Sequence, residues 1–239
     1  MQCYYDFHIH SCLSPCGDMD MTPNNIVNMA LLKGLDAIAI TDHNCAANAE
    51  AVLRAAQGRL TVLPGMEVES CEEVHMVCLF AELSQCRELE RDVQKSLLHI
   101  QNDPEIYGEQ VILDELDEPC GSVEQLLVVA TSLSVYDIVK RTHALGGVCI
   151  AAHIDKSAYS ILSNLGALPD DLAVDAIELS KYGDFDALAA VHGNLRGMRV
   201  LHSSDAHYLA DISERVHSFE IMGECSANAV INALRGGIK

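Results

Sequence analysis

Positive charge is scarce in this chain. Fifteen lysine and arginine residues stand against 35 aspartate and glutamate residues, which gives a formal net charge of -20 at pH 7. A surface this acidic repels polyanions at long range, so the charge argues against avid, sequence-independent binding of nucleic acid. It still allows a short nucleotide in one locally positive pocket, and bound metal ions could supply that positive charge.

Long apolar runs are also missing. None approaches the roughly 20 residues that a membrane-spanning helix needs. The opening residues MQCYYDFHIH lack the basic and apolar regions of a secretory signal peptide. We therefore expect a cytoplasmic protein with no membrane partner, whose ten cysteines are thiols rather than a disulfide framework.

Low-complexity tracts, repeats and long Pro/Gly/Ser linkers are absent, so we expect one domain over residues 1–239. Short apolar strands alternate with helices such as TPNNIVNMALLKG, with Thr22 as N-cap and Pro23 at the first helical position. About seven strand–helix units favour a barrel or a doubly wound α/β sheet. Between about 83 and 137 the pattern is acidic and helical, with a loop near DELDEPCGS, which indicates a helical insertion.

The stretch DFHIH places Asp6, His8 and His10 on alternating positions of the first predicted strand. Alternate side chains of a strand point to one face, and three buried polar groups are costly unless something pairs with them. The partner could be a hydrogen-bond network, a proton-transfer pair or a metal ion. The stretch by itself does not decide among these three.

Histidines and carboxylates also end the other predicted strands. Their side chains should converge, because the carboxyl ends of parallel strands form the functional face of α/β folds. His75 lies near the start of its strand, so it can reach the same face only if that strand runs antiparallel to its neighbour. The residues concerned are Asp42 and His43 in TDHN, Glu67 in GME, His75, His153 in AAH, and Asp205 and His207 in SSDAH.

Taken in order along the chain, DFHIH, TDHN, GME, AAH and SSDAH resemble the successive motifs of the PHP (polymerase and histidinol phosphatase) superfamily. The resemblance is greatest to its stand-alone bacterial metal-dependent phosphoesterases. It implies a distorted seven-stranded (β/α) barrel with a centre of two to three divalent ions (zinc, manganese or iron) at the strand ends. It also implies hydrolysis of small phosphate esters or nucleotides by a hydroxide that bridges the metal ions.

The resemblance also implies a role for each motif residue. One ion would be held by His8, His10, Glu67 and Asp205, and a second by Glu67, His75 and His153. A third would use His43, His207 and a residue of the loop SCLSPCGDMD, where Asp18 is our choice, although Cys12 and Cys16 depart from the commoner loop. Asp205, His207, Asp6 and Asp42 are the expected catalytic residues, Asp6 and Asp42 by orienting ligands.

Substrate contacts and alternative functions follow from the same pattern. Lys156, Lys181 and, more weakly, Arg215 are candidate phosphate contacts, because basic residues near the expected site are few. The expected partner is a small phosphorylated substrate or a nucleotide. Two alternatives remain: a 3′-to-5′ exonuclease acting on short oligonucleotides, and a non-catalytic regulatory module that binds metal.

Overall fold

Strands and helices alternate along the chain, as the apolar pattern predicts. The computed structural model describes residues 1–236, so the last three positions of the predicted domain lie outside the described residues. The strands are β1 Gln2–Ile9, β2 Ala37–Ile40, β3 Thr61–Glu69, β4 His75–Leu79, β5 Val111–Leu113, β6 Pro119–Ser122, β7 Val148–Ala151, β8 Ala176–Leu179, β9 Val200–His202 and β10 Ser218–Glu220. The α-helices are α1 Pro23–Leu32, α2 Ala49–Ala56, α3 Leu83–Ser96, α4 Pro104–Tyr107, α5 Val135–Ala144, α6 Ile161–Leu165, α7 Phe185–Val191 and α8 Ala227–Arg235.

Eight strands form one sheet in the order β10-β1-β2-β3-β4-β7-β8-β9. The sheet curls until the chain after β9 meets β1, where Ile9 and Ala206 form a parallel bridge and the His10 N–H donates to the Ala206 carbonyl at 2.9 Å. Seven strands thus form a distorted barrel, and β10 adds an antiparallel edge beside β1. The predicted barrel fold is confirmed.

Strand β4 runs against both of its neighbours. It pairs antiparallel with β3, where His75 lies opposite Glu69, and antiparallel with β7. This reversal brings the first residue of β4 to the edge at which β3 ends. The predicted reversal of this strand is therefore confirmed, and it is what brings His75 to the functional edge.

Local sequence explains where the helices begin. The Thr22 side chain accepts the Asn25 N–H, and Pro23 follows at a position where a missing N–H costs nothing. In α5, Ser134 and Asp137 form a reciprocal capping box. Such caps fix helix starts close to the strand ends that carry the polar residues.

Two apolar layers cover the two faces of the sheet. The larger layer joins β2 and β3 to α1, α2, α3 and α5. The smaller layer contains alternate residues of β1 (Cys3, Tyr5 and Phe7) and packs against α8. No helix within residues 1–236 combines the length and apolar character needed to cross a membrane.

The inserted segment is only partly helical, which corrects the prediction for 83–137. Helix α3 covers its first part, but a one-turn helix and the antiparallel hairpin β5–β6 follow it. The turn is encoded by Asp114, whose side chain accepts the Leu116 and Glu118 N–H groups, and by Asp117 at φ 65°. These short-range bonds compete with helix formation, so the predicted loop near DELDEPCGS is present, and what the prediction missed is the two short strands that flank the turn.

Candidate metal centre

The ends of five strands and the start of a sixth, β4, converge at one edge of the barrel. His8 lies in β1 and His10 directly after it, His43 follows β2, Glu67 lies in β3, and His75 begins β4. His153 follows β7, and Asp205 and His207 follow β9. The structure thus brings together eight of the nine predicted ligands: His8, His10, His43, Glu67, His75, His153, Asp205 and His207.

Glu67 lies at the middle of this cluster, with a side chain that is 1% exposed. Its Oε1 is 2.9 Å from His75 Nδ1, 3.1 Å from His153 Nε2 and 3.2 Å from His8 Nε2. Its Oε2 is 3.1 Å from His43 Nδ1 and 3.5 Å from His10 Nε2. One carboxylate therefore faces five imidazoles, with the two oxygens directed at different members of the group.

Three overlapping donor sets are present, and in each the nitrogen or oxygen atoms lie within 4.8 Å of one another. The sets are His8, His10, Glu67 and Asp205; His43, Glu67 and His75; and His10, His43 and His207. Glu67 belongs to two sets, and so does His10. Shared donors of this kind are what closely spaced ions require.

Hydrogen bonds at the outer nitrogen orient three of the imidazoles. His8 Nδ1 donates to Glu178 Oε1 at 2.9 Å, and His207 Nδ1 donates to the Asp205 carbonyl at 2.8 Å. His10 Nδ1 donates at 3.1 Å to the Ser14 hydroxyl, which donates to Asp42 at 2.7 Å. Because Nδ1 carries the proton in all three histidines, Nε2 has a free lone pair on the opposite side of the ring. Metal-binding histidines need this arrangement.

Asp6 and Asp42 hold the loops that carry ligands. Asp6 accepts the Ser204 and Ser213 N–H groups at 2.9 and 2.8 Å, and so holds the segment that leads to Asp205. Asp42 accepts the Ser11 N–H at 2.7 Å. Burial raises the pKa of both carboxyl groups, and their hydrogen bonds oppose that rise.

The residues of the cluster shift one another's pKa values in opposite directions. Burial opposes the charged form of Glu67, but His75, His8 and His43 hold its pKa well below the usual range. Burial would lower the pKa of His75, yet Glu67 raises it to about 9. Burial and the charge of His10 lower the pKa of His207 to about 4 and that of His43 well below its ordinary value.

The donor chemistry fits divalent metal ions. Imidazole and carboxylate groups bind zinc, manganese and iron, and each must lose its proton to do so. Within residues 1–236, His43 Nδ1 and His153 Nδ1 are buried without a hydrogen-bond partner, although buried imidazole nitrogens are normally paired. His43 Nδ1 lies 3.1 Å from Glu67 Oε2, so a cation between these two atoms would satisfy both, whereas His153 faces Glu67 with its other nitrogen, Nε2.

Asp18 is the predicted ligand that the structure does not bring to the cluster. Its Oδ1 accepts the Asp20 N–H at 2.8 Å, and its own N–H donates to the His207 carbonyl at 2.9 Å. The local turn uses its carboxylate, which spacing along the chain does not reveal. Cys16 of the same loop lines the cavity beside the cluster, while Cys12 is buried near the Val111 carbonyl.

Of the three predicted phosphate contacts, only Lys156 reaches the cavity. Its ammonium group contacts Asp205, and among the described residues it is the one lysine or arginine that lines the site. Lys181 pairs with Asp211 at 3.6 Å and lines a separate pocket. Arg215 stacks on the Tyr4 ring at 3.9 Å, so its charge is directed away from the cluster.

Sequence reasoning missed Glu178, which bonds His8 and also accepts the His153 N–H at 3.2 Å. A signal was available, because Glu178 is the charged residue in the otherwise apolar strand AIEL and is 2% exposed. Ser14 and Tyr159 were missed as well. Tyr159 stacks on His75 with ring centroids 4.9 Å apart, a contact that depends on tertiary structure alone.

A distorted barrel that gathers imidazoles and carboxylates at its strand ends has the architecture of a metal-binding α/β domain. The sequence profile of the PHP domain matches residues 6–179, and the chain belongs to this family. No curated protein sequence is significantly similar to it.

Solved structures of several proteins share the fold. Endonuclease Q from Pyrococcus furiosus, described as lesion-specific, superposes with a TM-score of 0.73 at 22% identity. The match covers 99% of this chain but 56% of the endonuclease, so the chain spans little more than half of that protein. A protein from Bifidobacterium adolescentis designated a metal-dependent phosphoesterase gives 0.57 at 18% identity, covering 98% of this chain and 96% of the other. A Chromobacterium violaceum amidohydrolase with bound sulfate gives 0.56 at 18%, covering 97% and 96%.

Proposed function

We propose that this chain is a metal-dependent hydrolase that cleaves small phosphate monoesters, nucleotides included, at a centre of two or three divalent metal ions. The observation that carries the proposal is the position of Glu67, whose two oxygens face five imidazoles. A buried carboxylate with that many neutralising neighbours suits a bridge between ions. Ions so placed stabilise the charge of a phosphoryl group and make water a stronger nucleophile near neutral pH.

The donor sets support one assignment of ligands. His8, His10, Glu67 and Asp205 would hold one ion. Glu67 and His75 would hold a second, with His153 and His43 both within 3.1 Å of the Glu67 carboxylate. His207 would serve a third ion together with His10 and His43. The pKa of His207, lowered to about 4, leaves its imidazole neutral at pH 7, as a ligand requires.

Lys156 has the clearest role toward the substrate. Its ammonium group lies at the cavity against Asp205, and burial that would lower its pKa is outweighed by Asp205, which raises it. The Lys156 side chain is therefore charged when a phosphate enters, and its ammonium group can donate a hydrogen bond to a phosphoryl oxygen. Lys156→Ala should raise KM for phosphate esters more than it lowers kcat.

The size and charge of the site favour small substrates. The cavity measures about 440 Å³, a volume that suits a nucleotide-sized ligand. The net charge of -20 opposes the approach of a long polyanion. A nuclease activity is the alternative, and the fold shared with the endonuclease supports it.

The experiment is a panel assay of the purified chain, loaded separately with zinc, manganese and iron. We expect turnover of phosphomonoesters and a loss of about 10²–10³-fold in His8→Ala and Asp205→Ala, the range found when one key charge-stabilising group is removed. His99→Ala is the matched control, because His99 is exposed and does not line the cavity. Undiminished activity in His8→Ala would show that this site does not catalyse the reaction.

Two outcomes separate the alternatives. Cleavage of short oligonucleotides, with affinity that falls steeply as salt rises, would indicate a nuclease that engages several phosphates. Bound metal without turnover of any phosphate ester would indicate a non-catalytic module. Metal content is therefore measured on the same preparations as activity.

A further inference from the structure

Two kinds of residue line the cavity beside the donor sets. The polar ones are candidate ligands together with Lys156, Glu69 and Cys16. The others, here called the apolar wall, come from two segments outside the metal-binding motifs, the inserted segment and the loop after β7. Its members are Ile106, Tyr107, Val128, Ala158 and Tyr159.

Three large side chains of the apolar wall are open to solvent. Ile106 is 71% exposed, Tyr107 45% and Tyr159 48%. Apolar groups that gather at the mouth of a polar site, instead of packing in the core, mark a surface that a ligand covers. Two of the seven tyrosines of the chain lie here.

The part of this wall that carries Ile106 and Tyr107 is held in place by backbone contacts. Helix α4 is capped at its start by Asp103, whose side chain accepts the Glu105 N–H. It ends at Gly108, which has a φ of 100° and lies so close to the Pro15 carbonyl that a Cβ atom would be 2.3 Å from that oxygen. Pro15 belongs to the loop that follows His10, so α4 is fixed to the same loop that borders the donor sets.

Tyr159 is positioned by its own strained backbone. Its φ of 56° is rare for a residue with a large side chain, and such strain concentrates at functional sites. The Tyr159 carbonyl accepts the His75 N–H at 3.0 Å, and its ring stacks on the His75 ring at an interplanar angle of 23°. The ring is therefore held next to a candidate metal ligand, while half of its side chain stays accessible.

We propose that Ile106, Tyr107 and Tyr159 form a leaving-group subsite that selects phosphomonoesters whose alcohol carries an aromatic ring. The proposal rests on the proposed function, because the ring is selected only if the phosphate occupies the donor sets beside Lys156. A ring joined to that phosphate through one or a few bonds lies against the apolar wall. Tyrosine rings favour offset or edge contacts with other rings, which a polyol cannot provide.

The test compares alcohols of similar reactivity. Benzyl phosphate is compared with n-propyl phosphate, and a purine nucleoside 5′-monophosphate with ribose 5-phosphate. We expect kcat/KM to favour the ring-bearing member of at least one pair by roughly tenfold, the worth of one aromatic contact. The pair that shows the larger ratio tells whether a nucleobase or a simple aryl group is the better occupant.

Variants assign the preference to the subsite. Tyr107→Leu and Tyr159→Leu keep apolar bulk but remove a ring, so each should lower the ratio of kcat/KM for benzyl phosphate to that for n-propyl phosphate. For Tyr107→Leu, which contacts no proposed ligand, kcat/KM for n-propyl phosphate should stay within about twofold; Tyr159→Leu also removes the ring stacked on His75, so it is judged by the ratio alone. Tyr182→Leu is the matched control, because Tyr182 is 84% exposed and does not line the cavity. A purely structural defect would lower kcat/KM for both esters alike.

The failures can be told apart. Turnover of both esters at similar kcat/KM, or a preference that survives both tyrosine variants, overturns the subsite and leaves the proposed function intact. Failure to hydrolyse any ester, by chains shown to carry metal, refutes the proposed function and the subsite with it.

Discussion

Replacing Glu178 by glutamine tests whether a residue that is not a metal ligand still controls the affinity of the proposed centre for metal ions. Glu178 Oε1 accepts from His8 Nδ1 at 2.9 Å and from the His153 N–H at 3.2 Å. One oxygen thus orients a side chain of one proposed ligand and the backbone of another. Glutamine keeps the size and a carbonyl acceptor and removes the negative charge.

The expected effect can be worked from these bonds. A hydrogen bond to a charged group is worth about 1.5–3 kcal/mol and a neutral one about 0.5–1.5 kcal/mol, so the substitution removes roughly 1 kcal/mol from the hold on His8. Loss of a carboxylate that orients a metal-binding histidine typically costs about 10–100-fold in metal affinity or activity. A change of 1 kcal/mol is about fivefold in affinity, so we expect Glu178→Gln at or just below the lower end of that range, about five- to tenfold. Glu178→Ala should lose more, because it leaves the buried His153 N–H unpaired at a cost of about 1–3 kcal/mol.

The assay is a zinc titration against a chromophoric chelator, with urea denaturation of the metal-free chain alongside it. Glu214→Gln is the control, because the Glu214 side chain is 70% exposed and pairs with Lys33 at 3.1 Å. If Glu178→Gln binds zinc as tightly as the unaltered chain and turns over substrate equally fast, Glu178 does not orient His8 and the reasoning is wrong.

Three further predictions concern the centre, a thiol pair and the barrel wall. Glu67→Gln should lose at least one ion per chain by elemental analysis, because it removes the charge shared by two donor sets; unchanged stoichiometry would contradict the bridging role. Cys225 should be alkylated with a midpoint near pH 7, because the Cys3 thiol 3.3 Å away lowers the pKa of Cys225 to about 7. Since the folded-state pKa of Cys225 is depressed, ionisation of its thiol stabilises the folded chain fully above about pH 9, and this stabilisation is lost as pH falls through about 7. Cys3→Ala should return the midpoint of Cys225 alkylation toward pH 9. An unmoved midpoint would refute the pairing of the two thiols. Gly65→Ala should lower the free energy of unfolding, measured by urea denaturation, by about 1–3 kcal/mol, because its Cβ would lie 2.8 Å from a backbone oxygen of β4. Gly193→Ala is the control: a Cβ there would meet no atom within 4 Å, so the free energy of unfolding should change by less than about 0.5 kcal/mol.

The fold was readable from sequence wherever local chemistry decides the structure. The cap at Thr22, the apolar strands and the reversal of β4 follow from short segments. The inserted segment was predicted only in part. The loop near Asp114 was expected, and its acidic side chains bond the backbone of a turn, but the strands β5 and β6 on either side of that turn were not. A hairpin such as β5–β6 is recognised by cross-strand pairing, which spacing along one strand does not contain.

The sequence by itself determined which residues could serve as metal ligands. Strand ends in a parallel fold meet at one edge whatever the details, so eight of nine predicted ligands converge there. Only the tertiary structure decided the rest. Glu178 reaches His8 across 170 residues, Asp18 turns to its own loop, and Arg215 is held against Tyr4. These outcomes depend on contacts between distant segments, and such contacts form only once the barrel has closed.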